Sequence, residues 1–313
     1  MTIKQALWAA IAMLPVTASA QSSVDQARAI AGDKPVSTVR LALADLPQLV
    51  GKTTALFDGR SLTGWTSWLG YADPALTYTD PAAKPIGASR NTRDDFAVRQ
   101  VDGKPAIWVN GRTWGSLVHR ADLSNYHLRL QYKWGEGRFA PRESQSPNNG
   151  LLYHTHGRPG DVFGTWRPSV EFEIMKGATG MAVMVGAKVR ARTEVAFDAS
   201  LIAPHLRYRP GGRTVDMING TPTWNVEAAT DAERAAGEWN TLDLYVLGDR
   251  AVHVVNGVPV AELHDIATIG PDGTRQPLTH GRLQLQSEGA ETWFRDITIE
   301  PIRSLPRVVA AGG

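Results

Sequence analysis

Short runs of alternating polar and apolar residues, separated by Gly, Pro, Asn and Asp, fill the chain from residue 55 onward. Such runs are typical of strands, and helical periodicity is nearly absent. The pair Asn256-Gly257 between two runs suits a type I′ hairpin turn, because both residues tolerate positive φ. We therefore predict an all-β sandwich of two antiparallel sheets with few short helices. The clearest strand candidates are 96–101, 106–109, 115–119, 125–134, 239–247, 251–255, 258–263, 281–288 and 291–300.

The first twenty residues have the order of features found in a secretory signal. Lys4 supplies the positive charge, residues 6–16 the apolar run, and Ala18-Ser19-Ala20 the cleavage site. No other segment is apolar over the ~18 residues that a membrane span needs. We expect an exported protein, periplasmic or secreted, without a membrane span.

The remaining chain divides by its composition into three parts. Residues 21–54 are predicted to form a short helix, within 24–31, followed by a linker. Residues 55–302 carry the strand candidates and are predicted to form the sandwich domain. Residues 303–313 are predicted to be a flexible tail.

Charge and cysteine content exclude several classes of function. The chain has 33 Lys and Arg against 31 Asp and Glu, and no segment concentrates the positive side chains. A nucleic-acid partner is therefore not expected. The absence of cysteine excludes disulfides, thiolate metal ligands and a cysteine nucleophile.

Two carboxylates share one face of a predicted strand. The run 169–175 alternates, so that Glu171 and Glu173 lie on one side and Val170, Phe172 and Ile174 on the other. Carboxylates at this spacing, ~6 to 7 Å, can form a general acid and base pair because each raises the pKa of the other. A solvated strand face is the simpler alternative, since Glu is normally exposed.

The preceding run, 148–156, brings histidines close to this acidic strand. Strict alternation places His154 and His156 on one face, and Asn149 and Tyr153 on the other. No third ligand at a metal-binding spacing accompanies the histidines, so we predict an acid/base or hydrogen-bonding role for His154 and no metal or other cofactor.

Two further features suit a carbohydrate ligand. Trp166 lies in a long polar loop, 156–168, where its aromatic face could stack on a sugar ring. Near the C-terminus Gln284, Gln286 and Glu288 alternate with Leu283 and Leu285, which gives a ladder of groups able to hold hydroxyls. A wetted outer sheet face explains the ladder equally well.

The order of these motifs resembles the 3-keto-disaccharide hydrolase family over residues 55–302. Each motif is weak alone, but the ordered series is specific. The series is Leu56-Phe57-Asp58-Gly59 with Gly64-Trp65, Asn149-Gly150-Leu151-Leu152-Tyr153, Val170-Glu171-Phe172-Glu173-Ile174, Gly237-Glu238-Trp239-Asn240, Val255-Asn256-Gly257, and Gly281-Arg282-Leu283-Gln284-Leu285-Gln286 with Trp293-Phe294.

The resemblance implies a concanavalin A-like jelly-roll fold and cleavage of glycosides already oxidised to a ketone at C3. It points to Glu171 as the recurring acid of the family, with Glu173 at a position that is often Gln. The chain departs from the family at 287–289, where relatives often have a His. It also departs at 70–93, which resembles an insertion that makes this stretch longer than in relatives.

Our first hypothesis is an enzyme that removes the C2 proton of a 3-keto-glycoside and releases the group at C1. Glu171 or His154 would be the base and the other the acid, with Arg138, Asn149 and Gln286 as substrate contacts. Tyr153, Trp166 and Glu288 complete the predicted substrate site. A non-catalytic, lectin-like sandwich is the alternative. Retaining hydrolysis of ordinary β-glycans ranks lower, because it requires carboxyl groups ~5 to 5.5 Å apart.

These residues come from strands that are distant in the sequence. We predict that Glu171, Glu173, His154 and Gln286 converge on one concave sheet face, with the loop 156–168 above them and Trp166 at the wall of the pocket. The partner in that pocket is expected to be a small carbohydrate.

Overall fold

The computed structural model describes residues 18–32, 40–79, 82–88 and 94–311. The predicted signal segment lies outside the described residues, except for 18–20. Within the described residues the secondary structure consists of helix α1 (Ala18–Ala31), a 3₁₀ helix (Pro74–Leu76), and the strands β1 (Leu41–Ala44), β2 (Thr54–Ala55), β3 (Trp65–Leu69), β4 (Phe96–Val101), β5 (Lys104–Val109), β6 (Gly115–His119), β7 (Tyr126–Arg138), β8 (Asn148–Thr155), β9 (Ser169–Met175), β10 (Ala182–Val185), β11 (Val189–Phe197), β12 (Leu206–Tyr208), β13 (Arg213–Ile218), β14 (Asn225–Val226), β15 (Asn240–Leu247), β16 (Arg250–Val255), β17 (Val258–Ile269), β18 (Arg275–Pro277), β19 (Arg282–Ser287), β20 (Ala290–Pro301) and β21 (Arg307–Ala310).

Two large antiparallel sheets stack face to face, which confirms the predicted all-β jelly-roll sandwich. The seven-stranded sheet has the order β14-β10-β9-β8-β19-β6-β3. The larger, twelve-stranded sheet has the main path β12-β11-β17-β16-β15-β7-β20-β5-β4, with β13, β18 and β2 paired at its sides. The strands β9, β8 and β19, which carry most of the predicted site residues, are neighbours at the centre of the smaller sheet.

Alternation along each central strand sends one set of side chains into the core between the sheets. In β9 the inward set is Val170, Phe172 and Ile174, all fully buried in the main core. Leu151 from β8 and Leu285 from β19 join them. Burying a side chain of this size contributes about 1.5 to 3 kcal/mol, so this inward set fixes which residues of β9 must face outward.

The three consecutive strands predicted at 239–247, 251–255 and 258–263 are confirmed, and they form an antiparallel meander. The strands β15, β16 and β17 pair in sequence order, and Asn256 and Gly257 have φ of 50° and 82°. Both φ values are those of the type I′ turn that the Asn-Gly pair favours.

The helix predicted within 24–31 is also confirmed, and it docks on the sandwich. Ala27 and Ala31 are buried in the main core, and the Arg28 guanidinium lies 5.0 Å from the ring centroid of Phe197. The helix stops where Gly32 adopts a φ of 77° and its N–H donates to the Arg28 carbonyl.

The prediction of a flexible tail at 303–313 is wrong for β21. This strand pairs with β1 in an antiparallel ribbon, Leu41 opposite Ala310 and Ala44 opposite Arg307. Val308 packs against a buried cluster on the outer face of the twelve-stranded sheet. The two strands are separated by almost the whole chain, and local sequence patterns carry no signal for such a pairing.

No helix among the described residues is long and apolar enough to cross a membrane.

Candidate active site

The outer face of the seven-stranded sheet carries the two predicted carboxylates. Glu171 and Glu173 project from β9 on the side opposite to the inward core residues, as the alternation predicts. They are only 4% and 5% exposed, because loops cover this part of the sheet. A solvated strand face is therefore ruled out for both, and their burial needs a chemical explanation.

A glycine on the next strand makes room for Glu171. Gly150 of β8 lies opposite Glu173 in the register. A Cβ atom at position 150 would overlap the Glu171 carboxylate and would lie 2.9 Å from Gln286 Oε1. Glu171 and Gln286 thus lie close together over Gly150, where there is no room for a side chain. The backbone of Gly150 forms the floor of the site.

The polar ladder of β19 reaches the same cluster. Gln286 is opposite Ser116 of β6 and extends over Gly150. Gln284, two residues earlier, donates to Thr155 Oγ1 at 3.1 Å and so belongs to the end of the sheet face. The two glutamines are fully buried, so the ladder is not a wetted surface.

Glu288 follows β19 and closes the cluster with an ion pair. Its Oε1 accepts from Arg142 Nη1 at 3.0 Å and from the Tyr78 hydroxyl at 3.2 Å. The side chains of Arg142 and Glu288 are 19% and 6% exposed. This pair places one fixed positive charge beside the acidic strand, because Arg142 also interacts with Glu171 and Glu173.

Burial and mutual repulsion perturb all three carboxyl groups. Loss of hydration raises the pKa of Glu171 well above its usual range, and the charges of Glu173 and Glu288 add to this rise. Burial and then Glu288 raise the pKa of Glu173 to about 8, although Arg142 opposes the change. The pKa of Glu288 is raised by burial and lowered in part by Arg142 and Tyr78. The pair Glu171 and Glu173 therefore shares a proton at neutral pH, with one carboxyl group protonated and the other ionised.

Aromatic side chains stand beside the carboxylates. Trp166, from the loop 156–168, stacks on Trp114 with ring centroids 6.1 Å apart and donates its Nε1–H to the Gly115 carbonyl at 3.2 Å. Tyr78 lies across both indoles, 5.8 Å from Trp114 and 6.2 Å from Trp166. The loop and Trp166 thus cover this face of the sheet, and the role of Trp166 in substrate binding stays a prediction.

Several buried polar atoms on this face have no hydrogen-bond partner among the residues that the structure describes. Leaving such an atom unpaired in a protein interior costs about 1 to 3 kcal/mol, so a local group of them indicates a site made for a polar ligand or water. The unpartnered atoms around the cluster are Glu171 Oε1, Gln286 Oε1, Asn148 Oδ1, Ser116 Oγ, Trp114 Nε1 and Arg142 Nε.

His154 is not part of this cluster, contrary to prediction. Between β8 and β19, Thr155 pairs with Arg282 but Leu152 pairs with Gln284, so β8 contains an extra residue. His154 at this bulge has a φ of 51°, and its ring lies 5.4 Å from that of Tyr153. The bulge breaks the alternation, so that His154 lies near the backbone of His280 and Gly248 and not on the face that carries Glu171.

Asn149 and Tyr153 are also directed away from the cluster, into the core between the sheets. Asn149 Nδ2 donates to Thr292 Oγ1 at 3.0 Å. The Tyr153 hydroxyl lies 3.0 Å from His253 Nε2. Both residues are fully buried, so they cannot contact a ligand on the outer face of the sheet, and the structure assigns them structural contacts.

Arg138 is replaced at the site by another arginine. Its Nη1 donates to the carbonyls of Gly135 and Gly137 at 3.0 and 2.7 Å, which holds the guanidinium on its own strand. The arginine beside the carboxylates is Arg142, four residues later in an irregular loop. The sequence gives no reason to prefer Arg142 to Arg138, because both precede β8 in similar polar surroundings.

Among the described residues, no group of three or more His, Asp or Glu side chains is arranged to hold a metal ion. A separate polar concavity of ≈ 430 Å³ lies on the outer face of the twelve-stranded sheet, where Arg129, Thr241 and Asp243 line it. None of the predicted site residues lines that concavity.

The model of the 3-keto-alpha-glucoside-1,2-lyase-like domain matches residues 52–300. The chain belongs to this family. Membership supports a sugar-active, glycosidase-type role for the chain, and it confirms the resemblance that the ordered motifs indicated. No curated protein matches the sequence.

Solved structures similar to this family member are remote in sequence. One is a provisionally named glycosyl hydrolase from Parabacteroides distasonis, with 18% identity, covering 80% of this chain and 100% of that one, at a TM-score of 0.45. Another is a protein of unknown function with a galectin-like fold from Bacillus subtilis, with 10% identity, covering 82% and 99%, at a TM-score of 0.41. At these values the similarity carries no information about substrate.

Sequence reasoning missed Arg142 and Tyr78. Arg142 lies between β7 and β8 in a segment without periodicity, and Tyr78 in the stretch 70–93, noted only as longer than in relatives. The available signal for Tyr78 was an aromatic residue within an insertion, but nothing in the sequence connects it to Glu288.

Proposed function

We propose that this protein is an exported enzyme that cleaves 3-keto-glycosides by abstraction of the C2 proton and elimination of the group at C1. The observation that carries the proposal is the buried pair Glu171 and Glu173 with raised pKa values, facing unpartnered polar atoms and one arginine. Family membership supports the sugar-active role in general.

The reaction needs a base, an acid and a group that stabilises negative charge. The C3 ketone acidifies the C2 proton, and a carboxylate accepts it while the electron pair forms an enolate at C2, C3 and the C3 oxygen. The ketone then re-forms as this electron pair makes the C1–C2 double bond. The C1–O bond breaks, and a carboxylic acid protonates the leaving oxygen. Water then adds to the unsaturated sugar, which gives net hydrolysis, or the lyase product leaves unchanged.

The two carboxyl groups of β9 suit the proton-transfer roles. Glu171 has an unpartnered Oε1 above Gly150, where a sugar ring could approach it, and its raised pKa makes its ionised form a stronger base. Glu173 has a pKa of about 8 and so carries a proton to donate at neutral pH. We assign Glu171 as the base and Glu173 as the acid.

Arg142 supplies the positive charge for the enolate. Glu288 holds Nη1 of its guanidinium, and Nε has no hydrogen-bond partner in the described part of the chain. A charge-assisted hydrogen bond from this group to the C3 oxygen would strengthen as negative charge develops there. Gln286, Asn148 and Ser116 remain as contacts for the sugar hydroxyls.

The proposal is tested by a panel of matched 3-keto and unoxidised glycosides with the purified protein. We expect turnover of 3-keto-glycosides alone, and Glu171→Gln to lower kcat by about 10²-fold to 10⁴-fold, the range of general base catalysis. The control is Glu143→Gln, which alters an exposed glutamate in the loop before β8. Binding of unoxidised sugars without any turnover would instead establish the lectin-like alternative.

Export is a separate part of the proposal and has its own test. Cell fractionation should find the protein outside the cytoplasm, with its N-terminus at Gln21. Replacement of Ala18 and Ala20 by bulky residues should block processing, because signal cleavage requires small residues there. Unprocessed wild-type protein in the cytoplasm would contradict export and leave the catalytic proposal unaffected.

A further inference from the structure

Large apolar side chains are exposed on the loops that cover the candidate active site. Tyr78 and Ile86 of the segment 70–88 are 37% and 50% exposed, and Phe163 of the loop 156–168 is 49% exposed. The rings of Tyr78 and Phe163 contact each other at 5.1 Å. The loop 156–168 is tied to β3, which leads into the segment 70–88, where Trp68 Nε1 donates to the Gly164 carbonyl at 3.0 Å. We call Tyr78, Ile86 and Phe163 the apolar rim.

The apolar rim is continuous with the carboxylate cluster through Tyr78. The hydroxyl of Tyr78 donates to Glu288 at 3.2 Å, while its ring packs edge to face on Trp114 at 5.8 Å. The buried Nε1–H of Trp114 has no acceptor among the described residues. A ligand whose polar end reaches Glu171 would therefore extend past these rings towards solvent.

The side chains near Glu171 differ in polarity from those near Trp114 and Trp166. Around Glu171 the side chains are amides, a hydroxyl and charged groups, which match the hydroxyls of one sugar ring. Around the indoles they are apolar, and a second sugar ring would find few partners for its hydroxyls there. The residues that pack with Trp114 and Trp166 are Leu152, Val162, Met181, Val183 and Val185.

We infer that the leaving group of the substrate is aromatic, so that the enzyme acts on 3-keto-glycosides of phenols, with the phenol ring on Tyr78 and Phe163. This inference rests on the proposed function. The sugar lies at the carboxylate end, the C1–O bond breaks on elimination, and the phenol departs after its oxygen receives the proton of the acid. Exposed aromatic rings beside a site of this kind mark a binding surface for planar apolar groups.

The kinetic test compares leaving groups on one 3-keto-glucose. We expect kcat/KM for the 4-nitrophenyl glycoside to exceed that for the 3-keto-disaccharide that releases glucose by at least tenfold. Phe163→Ala should lower this ratio about tenfold, chiefly through KM, because an aromatic contact of this kind is lost. Tyr78→Phe, which keeps the ring, should retain the ratio. Ile202→Ala, at an exposed apolar residue of another loop, is the control.

A binding measurement separates this inference from the proposed function. 4-Nitrophenol alone should quench the tryptophan fluorescence of the wild-type protein and of Ile202→Ala, and it should bind Phe163→Ala about tenfold more weakly. If no 3-keto-glycoside is cleaved but this pattern holds, the aromatic site stands and the catalytic proposal fails. Equal binding to wild type and Phe163→Ala, or preferential turnover of the disaccharide, would overturn the aromatic site.

Discussion

At the residue scale, the site depends on one position without a side chain. Gly150 allows the Glu171 carboxylate and Gln286 to lie over the strand β8. The same space cannot hold a methyl group unless one of them moves. The acid–base geometry and the packing of the sheet are therefore linked at this residue.

We expect Gly150→Ala to abolish activity and to lower the free energy of unfolding by about 1 to 3 kcal/mol, the usual cost of overpacking. Urea unfolding measures the second effect. In a Glu171→Ala background the overlap with the carboxylate is absent, so Gly150→Ala should cost less. Equal costs in both backgrounds would show that Glu171 does not occupy this space.

The pKa of Glu173 leads to a prediction for the pH profile. Its value of about 8 means that the group is protonated below that pH and ionised above it. If Glu173 is the acid, kcat/KM should fall as pH rises through about 8, because the proton donor is lost. Glu173→Gln should be slow and should lack this alkaline limb. A wild-type profile that is flat to pH 10 would exclude Glu173 as the acid.

At the scale of elements, the ribbon of β1 and β21 covers part of the larger sheet. Leu43 and Val308 pack on the buried cluster of Tyr245, Val252, Val254 and Ile302. The neighbouring Val309 projects from the other face of the ribbon by strand alternation. The two valines therefore form a matched pair for testing whether the C-terminal residues belong to the fold.

We expect Val308→Asp to lower the free energy of unfolding by about 1 to 3 kcal/mol, since a carboxylate would be placed against apolar side chains. Val309→Asp should lower it by less, because Val309 lies outside the cluster that Val308 contacts. Chemical denaturation of both variants measures the difference. Equal, small effects would mean that the ribbon does not stabilise the sandwich.

The strands and the site differ in how far the sequence predicts them. Alternation is local, so it predicts β9, the shared face of Glu171 and Glu173, and the direction of Gln286. It fails at His154, because a bulge adds a residue and the pattern of apolar residues does not reveal it. It does not find Arg142 or Tyr78, which reach the site from irregular loops, or β21, whose partner lies at the other end of the described chain.

At the scale of the whole molecule, two buried histidines make stability depend on pH. Burial lowers the pKa of His154 and of His253 from 6.5 to about 4. The unfolded chain therefore binds protons more readily than the folded one between these values. Stability from both groups is fully present above about pH 6.5 and is lost as pH falls towards 4.

We expect each of these histidines to contribute a loss on the order of 3 kcal/mol over that range. The raised pKa values of Glu171 and Glu173 act in the opposite direction, so the histidine contribution is measured as the difference between variants. Denaturant titrations at several pH values measure the slope. His253→Phe should make the slope shallower, whereas His280→Gln, at a histidine whose side chain is 63% exposed, should not change it. A His253→Phe slope equal to that of the wild type would contradict the effect of burial on the pKa of His253.

The most direct test of the proposed chemistry follows the hydrogen at C2. A 3-keto-glycoside deuterated at C2 should lose its deuterium to solvent during cleavage and should react several times more slowly than the unlabelled compound, since Glu171 breaks the C2–H bond. In Glu171→Gln exchange and cleavage should slow together, by about 10²-fold to 10⁴-fold, with the Glu143→Gln control unchanged. Retention of the deuterium in the released sugar, at an unchanged rate, would contradict proton abstraction at C2 as the basis of catalysis.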